Sequence, residues 1–137
     1  MIDHTGINCS DIKKSKEFDV KALAPLGYRV IHEFAEVGKA QVIGMGAQGK
    51  ADFWLGEGTP QKPHVHLAFR AADQKAVEAF YKAAMAAGGK DNGQPGVRPH
   101  YHEKYYGAFI WDPDGHNIEA VCHGSDSEAK ELVQFGP

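Results

Sequence analysis

The chain is poor in sulfur and has no long apolar run. Its 137 residues include two cysteines, Cys9 and Cys122, too few for the disulfide framework of a small secreted domain. Both read as small buried strand residues. Apolar residues nowhere continue for the length of a membrane span. Basic residues are not in excess. Fifteen Lys and Arg against eighteen Asp and Glu give a formal charge of −3, which leaves no footprint for nucleic acid and no polybasic patch for a membrane. The opening MIDHTGINCSD lacks a positive segment followed by an apolar one, so it does not read as a secretory leader. With 42% hydrophobic and 24% charged residues, the composition is that of a globular domain with a single core, expected in the cytoplasm. Histidine is what the chain has in quantity, with eight residues.

Two of these histidines open the stretch HVHLAF at 64–69. Alternate residues of a strand face one side, so His64 and His66 share a face. His66 also has a counterpart elsewhere. Residues 4–27 lie over 66–89 without a gap, matching His4 with His66, Asp11 with Asp73, Phe18 with Phe80, Ala22 with Ala84 and Gly27 with Gly89. A repeat of this length marks a duplicated structural unit. Each copy reads as strand, cap, helix and glycine stop. In the second, Val77, Phe80, Tyr81 and Ala84 recur at helical spacing behind the N-cap Asp73, and Gly88-Gly89 ends the helix. In the first, Ser10 or Asp11 caps the helix, and Pro25 makes its last turn irregular.

Strand-like runs follow each helix, at 28–35, 39–45 and 51–56 and again at 105–111 and 117–123, with a further strand expected within 90–104. The DPDG at 112–115 is a strong turn signal between the last two. The expected architecture is α+β, two tandem βαβββ modules forming curved, mainly antiparallel sheets with the helices outside. The modules occupy 1–56 and 64–123, joined by a linker at 57–63. A tail at 124–137 lies outside the repeat and reads as a short helix or a frayed end.

Equivalent positions of two symmetrically packed modules lie near a pseudo-twofold axis, so His4 and His66 are a candidate pair. Glu119 joins them as a carboxylate within the otherwise apolar run NIEAVC, where a lone charge is costly without a cation or hydrogen bonds. Two imidazoles and a carboxylate make a suitable ligand set for a divalent metal with open positions. His64 reads as a pocket-mouth or surface residue. The Gly- and Pro-containing segment 93–109 reads as a lid or binding loop. Within it His102 or Tyr106 could act as acid or base, Arg98 could hold an anionic group, and Tyr105 could contact substrate. His100 has no role assigned.

The motifs DHTGINCSD, HVHLAFRAAD and YYGAFIWDPDGHNIEAV together resemble the vicinal oxygen chelate superfamily, which includes glyoxalases, extradiol dioxygenases, fosfomycin-resistance enzymes and bleomycin-binding proteins. The resemblance spans nearly all of 1–123. It implies that His4, His66 and Glu119 bind one divalent ion, with zinc, nickel, iron and manganese all open. It also implies a homodimer in which His4 of one chain joins His66 and Glu119 of the other, acting on a small molecule with vicinal oxygens. Metal-dependent glyoxalases take a further glutamate from the last strand of the first module. Here that strand is ADFWLG, Trp54 is nearest to the position, and Asp52 and Glu57 lie close by. The implied activity is glyoxalase-like or dioxygenase-like, with Glu119 also handling protons. The alternative is a non-catalytic protein that sequesters a small compound, with Trp54 lining its pocket.

Overall fold

A computed structural model describes residues 1–124. The expected tail falls on 125–137, outside the described residues apart from its first position. The chain runs β1 (Thr5–Cys9), α1 (Ile12–Leu23), β2 (Arg29–Phe34), β3 (Val42–Gly46), β4 (Phe53–Glu57), β5 (His66–Arg70), α2 (Gln74–Ala86), β6 (Lys90–Val97), β7 (Tyr106–Trp111) and β8 (Asn117–Cys122). These elements make the two βαβββ modules of an α+β fold. Each module has a four-stranded sheet, ordered β1-β4-β3-β2 and β5-β8-β7-β6. In each, the first strand pairs in parallel with the last and the other pairs are antiparallel. Neither sheet closes on itself.

The helix boundaries follow local chemistry. The Asp11 side chain accepts from the Lys14 amide at 3.1 Å, and Asp73 from the Ala76 amide at 2.8 Å, so each satisfies an orphan donor of a first turn. Pro25 lies in a 3₁₀ turn, Ala24–Leu26, that prolongs α1. Gly27 ends it at φ 84°, the left-handed region in which glycine avoids a Cβ clash.

Alternation along the strands then builds the core. Ile7, Ile43, Met45, Phe53 and Leu55 point from the first sheet toward the helices, and Ile110, Ile118 and Ala120 do so from the second. Phe18, Ala22 and Leu23 of α1 and Val77, Phe80 and Ala84 of α2 meet them there, fully buried. Cys9 and Cys122 are buried and unpaired, and burial raises the Cys9 thiol to about 11. No helix among the described residues is long and apolar enough to cross a membrane.

The modules are joined by more than the linker. Phe69 of β5 meets the rings of Tyr28 and Phe53 edge-on, both at 5.2 Å. The turn after β7 reaches across as well. The Ser10 hydroxyl donates to Asp114, and the buried His116 accepts from the Val65 amide at 3.0 Å on Nδ1. That bond leaves His116 Nε2 to donate to the Asn8 carbonyl at 3.2 Å.

Each sheet thus has one face against a helix and one face free of it. Along β1, β4, β3 and β2 the register aligns Gly6, Trp54, Gly44 and His32 in a row across the free face. The corresponding row of the second sheet is Ala68, Glu119, Phe109 and Gly93. Trp54 therefore stands where the second module has Glu119.

Candidate functional site

Glu119 is 1% exposed, between Ile118 and Ala120 in the middle of β8. Its burial is matched by polar partners on both oxygens. Oε1 meets His66 Nε2 at 2.8 Å, and Oε2 accepts the Tyr105 hydroxyl. Burial first, and then the Glu119 carboxylate, raise the Tyr105 phenol above its ordinary range, so it stays protonated and donates at neutral pH. His66 begins β5 with its side chain half exposed. The pair presents one imidazole and one carboxylate on the free face.

That donor set suits a divalent metal. Zinc bonds to imidazole nitrogen and carboxylate oxygen are about 2.0–2.2 Å, so neighbouring ligands stand roughly 3 Å apart, close to the 2.8 Å between His66 and Glu119. Two donors are fewer than a metal site needs. Among the described residues of one chain, no group of three His, Cys, Asp or Glu side chains converges to hold an ion. His4 lies just before β1, its side chain 61% exposed, with Nδ1 at 2.7 Å from Asp3.

The other candidates divide between the two faces. Phe109 adjoins Glu119 in the row, its ring 6.2 Å from that of His66. The Arg98 guanidinium sits over the Phe109 ring, 5.4 Å from its centre, with Nη2 donating to the Gln94 carbonyl at 2.7 Å. A hollow of about 300 Å³ opens there, lined by Asn92, Arg98, Tyr101 and Asn117. Tyr106 points the other way, its hydroxyl donating to Glu78 of α2 at 2.8 Å. His64 packs edge-on against Trp111, and His100 lies against Tyr101. Asp52 lines a groove of about 380 Å³ between the modules together with Tyr28, Phe53, His66 and Phe69. Its Oδ2 accepts from the Tyr28 hydroxyl at 3.0 Å. Glu57 ends β4 at the surface, where its Oε2 accepts from the Gln41 amide at 3.4 Å.

His102 does not reach Glu119 directly. Its Nδ1 accepts from the Lys104 amide at 3.1 Å, so Nε2 carries the proton and donates to His123 Nδ1 at 2.8 Å. Both imidazoles pack edge-on against the Tyr105 ring, at 5.4 and 5.3 Å. Sequence reasoning missed His123, which follows the last strand and has no counterpart in the repeat. Burial, then the neighbouring His102 and Arg70, hold its pKa below the ordinary histidine value. A histidine depressed in the folded state contributes stability above its unfolded pKa of about 6.5 and loses it as pH falls through the folded value. Urea unfolding at about pH 7.5 and about pH 5.5 is therefore expected to show a smaller acid-induced loss for His123→Gln than for the parent. Parallel losses would contradict that assignment.

The same fold recurs in known proteins. The Glyoxalase/Bleomycin resistance protein/Dioxygenase superfamily matches residues 1–120. The chain belongs to this superfamily. A glyoxalase/bleomycin resistance protein from Albidiferax ferrireducens is 28% identical, with a TM-score of 0.66 over 86% of this chain and 95% of that one. A glyoxalase I variant from Zea mays is 25% identical with a TM-score of 0.72. It is matched over 94% of this chain, which spans 47% of the maize protein. The fosfomycin resistance protein FosX from Listeria monocytogenes, solved with Mn(II) and sulfate, shares the fold at 15% identity and a TM-score of 0.67, over 93% and 94% of the two chains. No curated protein sequence matches significantly. Within the glyoxalase superfamily this chain is thus a two-module member that places an indole at the first-module position corresponding to Glu119.

Proposed function

We propose that this superfamily member is a divalent-metal-dependent enzyme acting on a small molecule with adjacent oxygens, glyoxalase-like or dioxygenase-like, with its site shared by two copies of the chain. The observation that carries the reading is Glu119, a buried carboxylate with an imidazole 2.8 Å from one oxygen on the free face of an open sheet. His66 and Glu119 of one chain and His4 of a second would hold the ion. The exposure of His4 leaves it accessible to another copy. A bound divalent ion would act as a Lewis acid toward the chelated oxygens.

The chain's own residues supply the rest. The Tyr105 hydroxyl fixes the rotamer of Glu119 and is the group nearest to it for donating a proton. His102 and His123 steady the Tyr105 ring from its edge. Arg98, whose guanidinium lies over Phe109, would meet an anionic substituent. Tyr106, turned toward α2, takes no part in this scheme.

The second reading is sequestration of a small compound without catalysis, favoured by Trp54 at the position that matches Glu119. Metal content separates the two. Protein purified without chelator or nickel resin is expected to hold one divalent ion per chain. Loss of a group that hydrogen-bonds to a metal ligand costs about 10–100-fold in metal affinity, so removal of a direct ligand in His66→Ala is expected to cost about 100-fold or more. A parent protein that takes up none of zinc, iron, manganese or nickel would sink the enzyme reading and leave the sequestering one.

A further inference from the structure

The first-module row has a property that its counterpart lacks. Trp54 is flanked in register by two glycines, Gly6 and Gly44. A Cβ on Gly44 would stand 2.8 Å from two atoms of the indole benzo ring and 3.0 Å from a third. Glycine there lets the indole cross β3 toward β2. It meets His32, the next residue of the row, and Phe34, two residues further along the same face. The three rings are nearly parallel, within 6–17° of one another, and their centroids are 6.0–6.2 Å apart. Three equal separations make a triangle and exclude a single column. The rings therefore form a shelf on the free face. His32 and Phe34 are exposed, Phe34 by 57%.

From this arrangement we infer that the Trp54, His32 and Phe34 shelf binds a planar aromatic group of a small molecule, and that the substrate or ligand class is aryl-bearing. Offset parallel stacking is a favoured geometry between aromatic rings, and pre-aligned side chains lose little freedom when a ring joins them. Three side chains are a small patch beside the roughly 800 Å² per partner of a stable protein interface, but they match one fused ring system. The inference deepens the proposed function and rests on it for the shelf's place beside the metal. His4 and Gly6 share a face of the β1 segment, so bringing His4 to a second copy's ligands brings the shelf to the same site.

The test uses metal-stripped protein, so stacking and metal binding can fail separately. The chain has two tryptophans, Trp54 and Trp111, and Trp111→Phe assigns their two indole N–H resonances. Titration with 2-naphthol is expected to shift the Trp54 resonance saturably, with the fully saturated decalin alcohol binding at least about tenfold more weakly. Trp54→Leu, and independently the surface substitution Phe34→Ala, are each expected to weaken 2-naphthol binding about fivefold. Equal affinity for the two probes, a shift confined to Trp111, or binding unchanged in both variants would overturn the inference. So would a Trp54 resonance that moves on dilution but not with 2-naphthol, since a second copy would then cover the shelf. Stoichiometric metal in the parent with no response to 2-naphthol would sink the aryl inference and leave the metal reading standing. Binding of 2-naphthol by a protein that takes up no metal would do the reverse.

Discussion

Mixing equal amounts of the His4→Ala and His66→Ala proteins is expected to restore tight binding of a divalent ion to about a quarter of the sites, although neither protein alone binds tightly. A twofold dimer with shared sites has two of them, each built from His4 of one chain and His66 with Glu119 of the other. Random exchange makes half of the dimers mixed. In a mixed dimer one site receives both substitutions and the other receives neither. The intact site should bind like the parent, against a loss of about 100-fold or more in either variant alone. Metal retained after gel filtration, measured on the variants and the mixture, reads the result. No recovery on mixing, with subunit exchange verified, would contradict the sharing. So would His4→Ala protein that keeps its metal, since the ligands would then lie within one chain.

Phe80→Ala is expected to lower the stability of the fold by about 3–5 kcal/mol, the usual range for truncating a fully buried phenylalanine. Phe80 is 0% exposed on α2, within the core where Phe18 of α1 and Ile110 of β7 are also buried. Against a typical domain stability of about 5–15 kcal/mol, the loss should shift a urea midpoint by more than about 1 M, with a slope of about 1–3 kcal/mol per molar. A midpoint shift below about 0.3 M would show that the core relaxes around the cavity. Phe80 and Phe18 are equivalent in the repeat, so Phe18→Ala should behave alike.

Much of the fold was legible because the chain states its pattern twice. One offset relates Asp11 to Asp73 and Phe18 to Phe80, and the structure turns the first pair into caps and the second into core. The same offset carries Thr5 onto Leu67, and the register pairs these with Phe53 and Ile118 at the matching places of the last strands. The strand within 90–104 was less visible. It is Lys90–Val97, where Gly93, Pro95 and Gly96 interrupt the alternation and the pairing with β7 shifts twice. At the site, His66 and Glu119 were readable from an imidazole that recurs and a carboxylate that interrupts an apolar strand. Tyr105 and Tyr106 could not be told apart by type. Strand alternation sends one to Glu119 and the other to Glu78. His123 offered no signal, since its partner His102 is distant in sequence and no spacing rule connects them.

The irregular pairing of β6 recurs on the opposite flank. One of the two edge strands of each sheet, β2 in the first and β6 in the second, carries a shift in register, between Val30 and His32 in one and at Asp91, Gly93 and Gly96 in the other. Bulges twist an edge strand and break its even ladder of unpaired amides and carbonyls, so neither β2 nor β6 is a good template for another strand. Joining of copies through β2 or β6 into a continuous ribbon is thereby disfavoured. Resistance to fibre-like assembly along these two edges thus arises from the same breaks in register that interrupt β2 and β6.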